Sequence, residues 1–115
     1  MAESSKYPFS PMGRIYLLTA DAIVPTAIQV KVYDELNAQA AGEYRIINSG
    51  LERVFLGWGS TAAEAEANSV APAPSSKAIL IMPGAVEVLR FPPESYFSGY
   101  SANPCNVYIQ AGQGL

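Results

Sequence analysis

The chain has 115 residues, a length that suits one small domain and is too short for a second domain with its own core. Half of the residues are hydrophobic and only 15% are charged, a composition that excludes intrinsic disorder and favours a surface that is partly covered by a partner. The net charge is −3 without a basic run, and there is no histidine, so nucleic-acid binding and most familiar active sites are disfavoured.

The N-terminal residues contain two prolines and little periodicity, which predicts an extended arm over residues 1–12 ahead of a domain over residues 13–115. Tyr7 and Phe9 would allow this arm to dock on a neighbour, and a frayed terminus is the alternative. No segment resembles the apolar part of a signal peptide or approaches the ~20 apolar residues that span a bilayer. We therefore expect no signal peptide and no membrane contact.

The first half of the domain alternates between apolar segments and turn signals. Two strands are predicted between residues 14 and 33, and residues 34–42 then break the alternation and predict a projecting loop. Residues 43–48 and 54–58 alternate on either side of Asn48-Ser49-Gly50, which tolerates positive φ. This arrangement predicts a hairpin.

An alanine-rich segment follows the hairpin. Thr61 and Glu64 have the spacing of a capping box, which predicts one or two helical turns. Because the segment has no large side chain, we expect it to be a peripheral insertion, followed by a Pro-rich linker over residues 70–76. Gly57, Gly59, Gly112 and Gly114 fit no phosphate-binding motif and are expected in bulges or turns, and the last two are expected to close the chain without structure of their own.

The second half of the domain contains four more predicted strands. Residues 78–82 and 85–91 form a pair around Pro83-Gly84, and residues 96–101 and 106–110 follow. The chain thus has about eight short strands with turn signals roughly every 8 to 12 residues. This pattern predicts an all-β fold, a single small antiparallel β-sandwich or jelly roll with a short Ala-rich helical insertion.

Titratable side chains form no local pattern typical of an active site. Asp34 is adjacent to Glu35, so these carboxylates would point to opposite sides of an extended segment. Glu43 and Glu87, on distant strands, stay a candidate pair of catalytic carboxylates. Positions on solvent-exposed faces of strands are the alternative explanation for both residues. We predict no catalytic residue, no metal ligand, no cofactor and no enzymatic activity.

The single cysteine, Cys105, excludes an internal disulfide, a thiolate zinc cluster and a Cys-x-x-Cys redox pair. No histidine is present to activate its thiol, so we expect a small core or turn residue.

Aromatic residues beside Pro92-Pro93 are the best candidates for a partner interface, because tyrosine-rich surfaces give large contact areas at low entropic cost. Core packing and a sugar-stacking platform are the alternatives. With the two aromatic residues of the arm, the predicted interface consists of Tyr7, Phe9, Phe91, Tyr96, Phe97 and Tyr100.

Four stretches of the second half resemble, in order, a group of small structural proteins of tailed bacteriophages. They are residues 44–50 (YRIINSG), residues 54–60 (VFLGWGS) with the Ala-rich residues 61–67 after them, residues 82–88 (MPGAVEV) and residues 107–115 (VYIQAGQGL). The resemblance implies a small β-sandwich or jelly-roll virion component without enzymatic activity or cofactor.

Within that group, the resemblance implies a head decoration or cement protein that binds the major capsid protein or other virion proteins and forms homo-oligomers. A neck or tail fibre component is the second possibility, but the chain has no repeats and no heptads, which favours decoration. The expected location is the virion, with no nucleic acid and no membrane as partners. A small carbohydrate-binding β-sandwich is the alternative from a different class.

Overall fold

The computed structural model describes residues 9–32, 42–70 and 77–113, and these ranges contain nine strands and one helix. The elements are β1 (Ser10–Pro11), β2 (Tyr16–Ala20), β3 (Ile28–Gln29), β4 (Glu43–Asn48), β5 (Val54–Gly59), α1 (Ala62–Asn68), β6 (Ile79–Ile81), β7 (Val86–Arg90), β8 (Tyr96–Tyr100) and β9 (Cys105–Gln113). Several predicted features lie outside the described residues, namely Tyr7, nearly all of the predicted projecting loop, residues 71–76 of the predicted linker and Gly114.

The strands form two antiparallel sheets. The first has the order β2-β9-β4-β7, with β1 also paired to the end of β9, and the second has the order β3-β8-β5-β6. The first four long-range partners follow one another in order: β2 pairs with β9, β3 with β8, β4 with β7, and β5 with β6. The chain therefore forms one long antiparallel ribbon of paired strands, and this ribbon is folded around the core. This wrapping is a jelly roll, and the predicted all-β sandwich is confirmed.

The hairpin predicted around Asn48-Ser49-Gly50 is wrong. Strand β4 before this turn pairs with β7 and β9, whereas β5 after it pairs with β6 and β8. The two strands around Pro83-Gly84 are also divided between the sheets. In a jelly roll such turns carry the chain from one sheet to the other, and their residues are the same as those of a hairpin turn. Gly50 also lacks the expected positive φ, which Gly84 does adopt (φ 78°).

The core lies between the two sheets and follows the alternation along the strands. Four aromatic rings, from Tyr44, Trp58, Phe91 and Phe97, pack together with centroid distances of 5.1 to 5.8 Å. The buried hydrophobic residues of the core are Leu18, Ala20, Val30, Val32, Tyr44, Ile46, Val54, Leu56, Ile81, Phe91, Phe97, Cys105, Val107, Ile109 and Ala111.

Helix α1 begins at the predicted cap. The backbone N–H of Glu64 donates to Oγ1 of Thr61 (3.1 Å), and the Glu64 carboxylate accepts from the backbone N–H of Ser60 (2.8 Å). These bonds satisfy backbone donors that a helix start leaves free. The hydrogen bonds from the backbone and the side chain of Ser60 also lower the pKa of the Glu64 carboxyl, because they favour its charged form.

The helix lies outside the core between the two sheets, in agreement with the predicted peripheral insertion, but it packs closely on one sheet. Ala65 is fully buried, because α1 lies on the outer side of β5 where the strand carries Gly57 and Gly59. A Cβ atom at Gly57 would lie 2.5 Å from the carbonyl oxygen of Ala65. These glycines therefore belong to a strand that a helix approaches closely, not to bulges or turns. Gly112 likewise lies within β9, paired with Pro11 and Glu43.

Candidate functional site

The predicted aromatic interface is divided among three parts of the molecule. Phe91 and Phe97 are buried in the core, so their assignment to an exposed interface is wrong, and the core alternative holds for them. Their burial depends on Tyr44 and Trp58, which come from strands of opposite sheets. Contacts between residues of different sheets cannot be predicted from the residues of a single strand.

Tyr96 and Tyr100 are half-buried on the outer side of the β3-β8-β5-β6 sheet, where the ring of Tyr100 packs on Phe55 at a centroid distance of 6.1 Å. Phe9 lies on the other sheet. A Cβ atom at Gly112 would meet the Phe9 ring at 2.5 Å, so this ring covers the glycine. The described residues of the predicted interface therefore do not form one surface.

A different surface collects exposed apolar side chains, namely the outer side of the β2-β9-β4-β7 sheet, which we call the apolar face. Its central row crosses all four strands. Leu17 is opposite Tyr108, Tyr108 is opposite Ile47, and Ile47 is opposite Val86 in the strand register. Leu17 is 51% exposed and Val86 is 54% exposed, whereas the two central residues are half-buried.

A second row runs beside the first. Arg45 is opposite Gln110 on one side and Val88 on the other, and Ile15, which is 61% exposed, lies next to Gln110 at the edge. The Gln110 side-chain amide donates to the carbonyl oxygen of Gly13 (2.9 Å). The Arg45 guanidinium is exposed and makes no hydrogen bond or ion pair with the residues that the structure describes.

Between these two rows the surface is concave. The groove has a volume of about 210 Å³ and is mainly apolar. It is lined by Ile15, Arg45, Ile47, Tyr108, Ile109 and Gln110.

Polar groups at both ends of the apolar face are paired within the protein. At one end the side chain of Glu43, which is almost completely buried, forms an ion pair with Arg90. At the other end Oγ1 of Thr19 donates to Oδ1 of Asn106 (2.8 Å). Arg45, in the middle, is therefore the one charged group in the two rows, and the described residues leave its charge unpaired.

The apolar face was not among the predicted interfaces, although the sequence carries a signal for it. An antiparallel strand with one solvated face alternates between apolar and polar residues, whereas residues 15–18, 46–47 and 107–109 are continuously apolar. Such runs give a strand apolar side chains on both of its sides. Their alignment into one row depends on the register between strands that are far apart in the sequence.

A second concavity, of about 420 Å³, lies at the end of the sandwich where the β4–β5 and β8–β9 loops meet. Cys105 borders it, but its thiol is buried and donates to Oδ1 of Asn48 (3.1 Å) and to the carbonyl oxygen of Glu52 (3.4 Å). The expected small core position is confirmed for this cysteine.

The structure does not bring the two distant carboxylates together. Glu43 is opposite Arg90, whereas Glu87 is opposite Ile46. The two acidic side chains therefore belong to opposite sides of the sheet. Within residues 9–32, 42–70 and 77–113, no three His, Cys, Asp or Glu side chains are grouped as a metal site requires. In the same part of the chain, no helix has the length and apolar character of a membrane span.

Comparisons with protein-family models, with curated proteins and with solved structures find no match for this chain.

Proposed function

We propose that this chain is a non-enzymatic structural protein that docks onto other proteins through the apolar face. The observation that carries the proposal is the row of Leu17, Tyr108, Ile47 and Val86, which is aligned across four strands and open to solvent. Contiguous apolar surface is unfavourable in water, and its burial contributes roughly 25 cal/mol per Å². Such patches on small proteins are typical of interaction sites.

The finer proposal is a head decoration or cement protein in a tailed bacteriophage virion, bound to the major capsid protein at many equivalent sites. It is supported by the resemblance of residues 44–115 and by a chain that lacks fibre-like repeats. Jelly rolls also occur in capsid proteins, although the same fold serves lectins, so the fold alone does not decide the function. A neck or tail component is the alternative within the virion.

A carbohydrate-binding role would use the opposite sheet. Tyr96 and Tyr100 keep part of their rings exposed there, which is the observation in its favour. The rings of Tyr100 and Phe55 are tilted by 36° and packed on each other, so they do not present a flat platform. For this reason the surface favours protein docking over carbohydrate binding.

The test is a stoichiometry. Particles are purified from the virus that encodes the chain, and the amount of the chain is measured against the major capsid protein. A copy number close to that of the capsid protein supports decoration. A much lower copy number indicates the neck or tail, and absence from the particles would exclude a virion role.

The same particles allow a test of the surface. Leu17→Ser combined with Val86→Ser removes apolar area from both ends of the central row and should reduce incorporation into particles. Leu80→Ser is the matched control, because Leu80 is 48% exposed on β6 of the other sheet, where it is opposite Phe55. Equal incorporation of both variants would contradict docking through the apolar face.

A further inference from the structure

We infer that the apolar face binds a protein surface that presents an apolar side chain beside a carboxylate. The apolar side chain occupies the groove and the carboxylate pairs with the Arg45 guanidinium. The inference rests on the docking role proposed above and adds the chemistry of the partner.

The charge of Arg45 is the first argument. Its guanidinium makes no ion pair with the described residues and lies among Ile15, Ile47 and Tyr108, whereas the charges at the edge of the face are already paired. A partner that covers this face removes water from the guanidinium, and an unpaired charge in that position is unfavourable. A carboxylate on the partner compensates for this loss, because the planar guanidinium can hold it with two parallel hydrogen bonds.

The size of the groove is the second argument. A cavity of about 150 Å³ takes up a benzene molecule, and the groove measures about 210 Å³. It therefore has room for one large aliphatic or aromatic side chain. Arg45 lines the same groove as Ile15 and Tyr108, so the carboxylate must lie next to this side chain on the partner.

A second copy of the chain fits this face less well. A two-fold axis through the face would bring two Arg45 side chains together, and like charges oppose such an arrangement. The charge of the face therefore favours a different protein that presents a carboxylate.

The experiment uses the full chain and three small probes that share one phenyl ring. They are 4-phenylbutyrate, 4-phenylbutanamide and 4-phenylbutylamine, which present a negative, a neutral and a positive head group. Nuclear magnetic resonance of the labelled methyl groups of Ile15 and Ile47, which line the groove, reports binding there. We expect saturable shifts with the carboxylate probe and an affinity about 5-fold or more above that of the amine probe.

Variants at two arginines separate local pairing from overall charge. Arg45→Gln should lower the affinity for 4-phenylbutyrate about 5-fold and leave the affinity for the neutral amide unchanged. Arg53→Gln is the matched control, because Arg53 is an exposed arginine in the loop between β4 and β5. Arg53→Gln removes the same positive charge from a position outside the groove. It should change neither the affinity for 4-phenylbutyrate nor that for 4-phenylbutanamide.

Three results would overturn the inference: equal affinity for the carboxylate and amine probes, shifts confined to methyl groups outside the groove, or a dimer in sedimentation that Leu17→Ser with Val86→Ser dissociates. The outcomes also separate the inference from the proposed function. If the carboxylate probe binds but the chain is absent from particles, the virion role fails and the site stands. If Leu17→Ser with Val86→Ser blocks incorporation while no probe binds, docking stands and the partner chemistry fails.

Discussion

The hydroxyl group of Tyr44 accepts a hydrogen bond from the backbone N–H of Ser95 (3.1 Å) across the core of the sandwich. The same hydroxyl donates to the carbonyl oxygen of Pro92 (2.9 Å). Tyr44 is on β4 of one sheet, and Pro92 and Ser95 flank the corner that leads from β7 into β8 of the other sheet. One buried side chain therefore holds the passage between the two sheets.

Tyr44→Phe should destabilise the protein by about 1–3 kcal/mol, because the buried N–H of Ser95 loses its acceptor while the ring packing is kept. Urea denaturation would measure the loss as a lower midpoint with an unchanged slope. Tyr108→Phe is the control, since no described residue forms a hydrogen bond with that hydroxyl. An equal effect of both substitutions would contradict the role of the Tyr44 hydroxyl.

Burial raises the pKa of the Tyr44 hydroxyl above its ordinary value of 10.0. The folded state therefore keeps this proton at a pH where the unfolded chain releases it, so the contribution to stability is complete below about pH 10 and is lost as the pH rises further. The difference in unfolding free energy between the wild type and Tyr44→Phe should shrink from pH 9 to about pH 11. A constant difference over this range would contradict the raised pKa.

The part of the fold that could be predicted from the sequence is the part determined locally. Alternation along β4 puts Tyr44 and Ile46 on one side of the strand, and along β9 it does the same for Val107 and Ile109. All four are fully buried, and the Thr61 cap marks the start of the helix. These outcomes depend on the faces of single strands and on contacts a few residues apart.

What could not be predicted depends on pairing between distant segments. The turn at Asn48-Ser49-Gly50 has hairpin chemistry, yet β5 pairs with β6 and β8 because the ribbon as a whole is wrapped. The apolar face was missed for the same reason. Leu17, Tyr108 and Ile47 come from three strands, and only the register shows that they are neighbours.

Asn48 should be the most sensitive polar residue in the structure. Its buried amide donates to the carbonyl oxygens of Glu52 (2.8 Å) and Ile81 (3.0 Å) and accepts from the backbone N–H of Gly50 (3.0 Å) and the thiol of Cys105 (3.1 Å). Asn48→Ala leaves these groups without partners and should cost at least about 3 kcal/mol of unfolding free energy.

Asn106→Ala is the control for Asn48, because it removes an exposed amide from the same end of the sandwich and should cost less than about 1 kcal/mol. Thermal unfolding would compare the two variants. A loss below about 1 kcal/mol for Asn48→Ala would show that the loops hold together without this side chain.

Gly57→Ala should destabilise the protein by about 1–3 kcal/mol. The added methyl group would lie 2.5 Å from the carbonyl oxygen of Ala65, so the helix must move away from the sheet. Gly42→Ala is a matched control, because the nearest atoms to its added methyl group are 3.6 Å away. Similar unfolding midpoints for the two variants would indicate that the helix adjusts freely.

Adjacent leucines on β2 allow a last test, which separates docking from stability. Leu18 is buried in the core, whereas Leu17 points outward on the apolar face. Leu18→Ala should cost about 2–5 kcal/mol of unfolding free energy, because it leaves a cavity between the sheets. Leu17→Ala should change the stability by less than about 0.5 kcal/mol and still reduce docking, since its side chain is half exposed when no partner is bound. A loss of stability comparable to that of Leu18→Ala would mean that Leu17 serves the fold, and the apolar face would then need a different explanation.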